Sequence, residues 1–159
     1  MGVEIERKFL LKPGATLPES DEVLNIRQSY LAEEHDATIR LRVVNMEEAF
    51  ITIKQASKSS LGVRKEYEYA VPVEDAIEMM NMAPYPMVVK QRHIIIIGEN
   101  KWEVDFFMDD NEGLMLAEVE LPSLDVSLTL PEWIGQEVTD DPRYLNASLA
   151  KNPYNTWNK

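Results

Sequence analysis

Ionisable side chains recur two residues apart along this chain, and the pairs are sorted by sign. Glu4-Ile5-Glu6-Arg7-Lys8 lies at the start, and Glu103-Val104-Asp105 and Glu118-Val119-Glu120 come late. Arg40-Leu41-Arg42 and Lys90-Gln91-Arg92 carry bases only, with Thr52-Ile53-Lys54 as a polar relative; Arg64-Lys65-Glu66-Tyr67-Glu68 carries both signs. Carboxylates are hard oxygen donors suited to divalent cations. Guanidinium and ammonium groups are suited to phosphate oxygens. A surface that presents both can hold a metal–phosphate complex.

A spacing of two is the period of a strand, in which residues i and i+2 share a face. Strands are expected over 2–11, 25–33, 37–46, 49–56, 62–71, 88–97, 100–109 and 115–122. Turn chemistry separates them at 12–14, 34–36, 57–62, 98–100 and 109–113. Eight strands on short turns suggest an antiparallel meander that closes into a barrel. Helices are few. One is expected over 72–82, with a proline and acids at its start and Ala76, Ile77 and Met80 at helical spacing. Met79, Met80 and Met82 are expected to pack it onto the strands. Shorter helices are expected over 131–138 and 144–150, and a connector over 18–23. There is no internal repeat and no linker, so residues 1–159 read as one domain.

In most half-buried strands the apolar face is the core and the charged face is wet. An open sheet with its charges in water is therefore the plain reading of any single pair. The set argues otherwise. Arg40, Arg42, Lys54, Lys90 and Arg92 share their faces with no acid, and Glu103, Asp105, Glu118 and Glu120 have only Lys101 in phase with them. The residues between them, among them Ile39, Leu41, Ile53, Trp102, Val104, Ala117 and Val119, are apolar, and that side should be covered by helices or a partner. A closed barrel with a polar lumen fits this pattern. Charges inside it are compensated by water, metal and phosphate instead of being buried bare. Trp102 and Trp133 are expected in the packing outside. His35 falls in a turn and His93 is out of phase with Arg92, so both are expected to be structural.

Composition narrows the partners. The net charge is −12, with 28 acids against 16 bases, which argues against nucleic-acid or anionic-membrane binding. It leaves room for one small anion in a local basic site. There is no cysteine, hence no disulfide framework and no thiolate chemistry. No apolar run approaches the roughly 20 residues of a membrane span. The charged N-terminus lacks an apolar leader, so a cytoplasmic protein is expected.

Glu4-Ile5-Glu6-Arg7-Lys8 resembles the Glu-x-Glu-x-Lys motif of the CYTH superfamily, the triphosphate tunnel metalloenzymes. The likeness runs on through Thr38-Ile39-Arg40-Leu41-Arg42, Ile51-Thr52-Ile53-Lys54, Lys65-Glu66-Tyr67-Glu68, Trp102-Glu103-Val104-Asp105-Phe106 and Ala117-Glu118-Val119-Glu120. It ends in Asp140-Asp141-Pro142-Arg143-Tyr144 and Asn146-Ala147-Ser148-Leu149-Ala150. The resemblance implies an α+β fold, an eight-stranded antiparallel β-barrel forming a tunnel with a few flanking helices. It also implies action on a triphosphate with Mg²⁺ or Mn²⁺. Such a substrate carries about four negative charges, which must be neutralised before hydrolysis. On this resemblance Lys8, Arg40, Arg42, Lys54, Lys90 and Arg92 are the phosphate-binding bases, joined by Lys151 just past the last helix. Glu4, Glu6, Asp105, Glu118 and Glu120 are the metal ligands. Glu66, Glu68 and Glu103 stand behind them or pair with the arginines. Tyr30 pairs with Lys8 to assist the water or leaving group, or packs with its hydroxyl bonded.

The tunnel motifs are shared by inorganic triphosphatases, thiamine triphosphatases, class IV adenylate cyclases and RNA triphosphatases. The small chain and its compact opening favour inorganic triphosphate. The alternatives are a class IV cyclase making cyclic AMP and pyrophosphate from ATP, then a thiamine triphosphatase or a non-catalytic polyphosphate-binding module. A monomer or homodimer with a small-molecule substrate is expected.

Overall fold

In a computed structural model describing residues 2–34, 37–56 and 63–158, the period-two stretches become strands and the proline-led stretch a helix. They are β1 (Gly2–Leu11), β2 (Glu22–Glu34), β3 (Ala37–Val44), β4 (Glu48–Ala56), β5 (Val63–Val71), α1 (Val73–Met80), β6 (Val88–Ile97), β7 (Asn100–Phe107) and β8 (Met115–Glu120). The C-terminal part adds β9 (Ile134–Glu137) and α2 (Asn146–Lys151). The sheet order is β5-β4-β3-β2-β6-β7-β8-β1, and β1 pairs back to β5, so eight antiparallel strands close into a barrel. The connectivity is not one meander. Two meanders, β2 to β5 and β6 to β8, are joined through α1, and β1 fills the gap between β8 and β5. The α1 segment gives the chain the length to leave β5 and re-enter beside β2.

Which way each side chain points follows from the register. Glu4, Glu6 and Lys8 alternate inward on β1, with Glu6 opposite Glu120 and Lys8 opposite Glu118. The Tyr30/Arg40 and Gln28/Arg42 partners lie across β2 and β3. Between Tyr30 and Ala32 that register slips. A bulge inserts one residue and reverses the alternation beyond it, so odd-numbered Glu33 reaches the same lumen as even-numbered Tyr30.

Three apolar clusters hold the barrel. Ala76 and Met80 of α1 cover Leu41, Val43 and Ala49. The stretch before β9 folds Leu121 and Trp133, with Ile134 of β9, over Phe9, Trp102, Val104, Ala117 and Val119. The expected cover over the apolar side is thus partly coil, and Ile53 stays 38% exposed. The third cluster closes one end of the barrel. Val88, Phe107, Leu114 and Leu116 meet Val138, Tyr144, Ala147, Leu149 and Ala150. Leu149, fully buried, anchors α2 there.

Some expectations are corrected. Residues 131–138 contain β9 and not a helix. Gly135 lies so close to β1 that a Cβ would sit 3.1 Å from the Leu10 and Leu11 carbonyl oxygens, an approach that fits glycine in a strand. Met82 falls just after α1 and is 73% exposed, so it does not pack the helix. Lys151 is the last residue of α2 and does not follow it. The expected turn over 57–62 and His35 lie outside the described residues. Among those described, no helix is long and apolar enough to cross a membrane.

Candidate functional site

The lumen is a cavity of about 240 Å³. Its wall holds Glu4, Glu6 and Lys8 from β1, Tyr30 from β2, Arg40 and Arg42 from β3, and Lys54 from β4. Glu66 and Glu68 of β5, Lys90 and Arg92 of β6, Glu103 of β7, and Glu118 and Glu120 of β8 complete it. The structure therefore brings together side chains spread over more than a hundred positions of sequence. Two expected site residues are absent from the wall: Asp105 and Lys151.

The basic side chains are each held by neighbours. Lys54 Nζ donates to Glu4 Oε1 at 3.0 Å and lies 3.8 Å from Glu66. Arg40 Nη2 donates to Thr52 Oγ1 at 3.2 Å, and Thr52 in turn donates to Glu68 at 2.9 Å. The buried Nε of Arg40 has no hydrogen-bond partner among the described residues. Arg42 Nε donates to Gln28 Oε1 at 3.0 Å. Burial and the nearby Arg40 and Arg92 push Arg42 down to about 9. The guanidinium still keeps its charge at neutral pH.

Asp105 is completely buried beneath Lys90 and Arg92. Arg92 grips both of its oxygens, at 2.7 and 2.9 Å, and Lys90 Nζ sits 2.8 Å from one of them. Burial would raise this carboxyl, but Arg92 and Lys90 outweigh it and hold it below its ordinary value. With both oxygens engaged by Arg92 and Lys90, Asp105 sits behind the wall and aims those bases. Arg92 also reaches Glu103 at 3.0 Å, which gives that acid the role of pairing an arginine. Burial pushes Lys90 down to about 7 despite Asp105.

The acids on β1 and β8 behave differently. Burial, then the Glu118 and Glu4 carboxylates, push Glu6 up to about 8. Glu4 and Glu120 are also raised, chiefly by burial. Burial would raise Glu118 too, but Lys8, Arg92 and Lys90 hold it well below its ordinary value. Glu6 thus keeps a proton that it shares with ionised Glu118. Such crowding of like charge is relieved by a cation. Among the described residues no three of these acids form a ready-made cage. Sparse ligation of this kind suits Mg²⁺, which retains waters and takes substrate oxygens.

Lys8 Nζ donates to the Tyr144 carbonyl at 3.1 Å and lies 3.5 Å from Glu118. Tyr30 accepts from Gln28 at 2.8 Å, so the two expected partners share the cavity while each is hydrogen-bonded elsewhere. Burial raises the Tyr30 hydroxyl, which keeps its proton. Lys151 is not in the wall but is paired at 2.8 Å with Glu33, which is, and lies over the Tyr85 ring. His93 is on the outer wall, held by Ser20 and Gln91 and edge-on to Phe106.

Four polar lumen residues escaped the sequence reading: Glu33, Thr38, Arg64 and Asn146. Arg64 and Thr38 were in phase with Glu66 and Arg40, so their spacing announced them. Glu33 is turned inward by the bulge, and Asn146 arrives on a helix, which strand spacing does not report.

The lumen is graded from end to end. Lys8, Arg42 and Lys90 lie toward the end closed by α2. At the other end Glu4, Glu66, Glu68 and Glu120 surround an open mouth with Gly2 and Val3.

Known proteins resemble this chain. The CYTH domain pattern matches residues 2–154. An inorganic triphosphatase of Acetivibrio thermocellus is 42% identical over 156 residues, covering 97% of each chain. One of Nitrosomonas europaea is 36% identical over 152 residues, covering 92% of this chain and 96% of its own. The crystal structure of the inorganic triphosphatase NE1496 matches with a TM-score of 0.65 at 34% identity, over 92% of this chain and 97% of that one.

Proposed function

The chain belongs to the CYTH family of triphosphate tunnel enzymes, and on that premise we propose that it is a metal-dependent hydrolase of inorganic triphosphate. The observation that carries this reading is a barrel lumen in which buried bases and crowded carboxylates face one cavity of about 240 Å³. Pockets for drug-sized organic ligands run to about 300–1,000 Å³. A short phosphate chain suits this lumen better than a chain with a nucleoside or thiamine attached. The relatives' identities point the same way.

Arg40, Arg42, Lys54, Lys8, Lys90 and Arg92 bind the phosphate oxygens. Arg40 and Arg42 offer forked donors. Asp105 and Glu103 hold Arg92, and Asp105 also holds Lys90, so the ligand meets donors already in place. Glu4, Glu6, Glu118 and Glu120 are the residues to hold Mg²⁺ or Mn²⁺. When bound, such an ion neutralises phosphate charge and makes coordinated water more acidic. Tyr30 keeps its proton and donates to a phosphate oxygen. The apolar end sealed by α2 keeps bulk water away from the deep side of the substrate. Attack of one water on a terminal phosphorus breaks the anhydride bond and leaves phosphate and pyrophosphate.

The test is to give the purified protein Mg²⁺ or Mn²⁺ with tripolyphosphate, ATP and thiamine triphosphate in separate reactions. Phosphate, pyrophosphate and cyclic AMP are then followed. Phosphate release from tripolyphosphate, well above the other two, is expected. Cyclic AMP from ATP as the main product would overturn the assignment in favour of a cyclase.

A further inference from the structure

The base of the lumen is built from a segment remote from the motif strands. Two of the phosphate-facing bases are held by it: Lys8 by the Tyr144 carbonyl, and Lys90 by the side chain of Asn146, the first residue of α2. Lys90 Nζ donates to Asn146 Oδ1 at 2.8 Å, and Gln28 Nε2 donates to the same oxygen at 3.0 Å.

The orientation of that amide is settled by its neighbours. Gln28 presents a donor to it, so the atom facing Gln28 and Lys90 must be the oxygen. Gln28 is itself fixed, because Arg42, which is donor-only, bonds its Oε1. Its Nε2 therefore faces Tyr30 and Asn146. Neither amide can be exchanged end for end without setting donor against donor. With Oδ1 taken up on both sides, what Asn146 has left is its NH₂ group, which bonds to no other described residue. Asn146 lines the cavity beside Lys90 and Arg42. Its backbone is seated by Ala147, Leu149 and Ala150 in the apolar end cluster, so the side chain is carried on a packed element.

We propose that Asn146 is a substrate-binding residue: its carbonyl aims Lys90 while its NH₂ group donates to an oxygen of the innermost phosphate. The inference rests on the triphosphatase reading and extends it by making the C-terminal helix part of the binding site. A neutral donor here adds a ligand without adding to the crowd of like charges among Arg40, Arg42 and Arg92.

Asn146→Ala and Asn146→Asp, with Asn146→Ala repeated in a Lys90→Ala chain, separate this role from simple support of Lys90. Each is compared with the unaltered chain by calorimetric binding of tripolyphosphate without metal, by KM and kcat with Mg²⁺, and by thermal unfolding. The alanine variant loses one hydrogen bond to a charged acceptor, and about a 10- to 100-fold weaker affinity is expected. The aspartate variant keeps an oxygen for Lys90 and is expected to unfold at or above the temperature of the alanine variant. It nevertheless turns an anion toward the phosphate, so it should bind more weakly still, with the loss mainly in KM. The order of affinity thus runs opposite to the order of stability. Asn146→Ser replaces the alanine variant if that one does not fold. Asparagine that merely supports Lys90 makes Asn146→Ala without effect once Lys90 is itself replaced by alanine, so no further loss of affinity in that double variant overturns the proposal. So does an affinity in both single variants within about twofold of the unaltered chain, since a lost charge-assisted bond exceeds that. An unaltered chain that neither binds nor hydrolyses tripolyphosphate instead refutes the triphosphatase reading, and with it this one.

Discussion

Asp105→Asn puts the division of labour among the acids to a quantitative test. Asp105 has no exposed surface, and its two oxygens are taken by Arg92 and Lys90, which are themselves almost wholly buried. Replacing the carboxylate with an amide keeps the shape but leaves two buried cations without their shared counter-charge. Removing one partner from a buried ion pair costs about 3–5 kcal/mol. A chain of this length shifts its melting temperature by about 2–4 °C per kcal/mol, so a fall of about 6–20 °C is expected. Measured against a typical total of about 5–15 kcal/mol, that is a large share of the fold's stability. The assay is thermal unfolding without metal, with and without millimolar tripolyphosphate. The polyanion should recover more of the lost stability in the variant than it adds to the unaltered protein, because it supplies the missing negative charge. A metal ligand would behave otherwise. Its loss would leave the metal-free protein as stable as before, or more so, and would show itself only in metal-dependent turnover. A melting temperature within about 2 °C of the unaltered chain, less than about 1 kcal/mol, would refute the structural role given to Asp105.

The raised Glu6 carboxyl sets the sign of a pH effect. Its folded value of about 8 lies above the ordinary 4.5, so the folded state holds a proton that the unfolded chain releases. This contribution is whole below pH 4.5 and is lost as pH rises through 8. Melting temperature measured without metal should therefore carry a downward component across that window, which Glu6→Gln removes; identical profiles for the two proteins would contradict it. Glu4→Gln and Glu6→Gln should also abolish metal-dependent turnover while circular dichroism stays native, and near-normal rates would remove them from the metal site. Arg40→Ala deletes a guanidinium from the lumen wall, and loss of charge-assisted bonds of about 1.5–3 kcal/mol each should weaken tripolyphosphate binding at least about 10-fold. Unchanged affinity by calorimetry would show that Arg40 does not meet the phosphate. Leu149→Ala empties a buried position in the cluster that closes the barrel and should cost about 2–5 kcal/mol in urea unfolding; a loss below about 1 kcal/mol would mean that α2 is not anchored there.

Strand positions were legible because the period of two is a local property. Charges at Arg40 and Arg42, or at Glu118 and Glu120, mark a face whatever lies across from them. Their sorting by sign carried the further point that the face is shared and enclosed. The route of the chain was less legible, since nothing local says that β1 lies between β8 and β5. The short stretch at 131–138 was misread for a related reason. Its strand exists only through its pairing with β1, and the glycine that permits the close approach looks like any other in the sequence.

By itself the sequence determined which residues can do chemistry and that they alternate with apolar ones, because both are properties of type and spacing. It could not distinguish Asp105 from Glu6, two acids on the inner faces of strands. Closure of the barrel decided that: it set Arg92 and Lys90 against Asp105, which is thereby ionised and engaged, and set Glu118 and Glu4 beside Glu6, which is thereby left holding a proton. A bulge in the pairing of β2 with β3 turned Glu33 inward, and packing of α2 delivered Asn146 from the far end of the chain. The physical reason is that a side chain's direction is written in its own strand, while its charge state and its partners are written in the strands and helices packed around it.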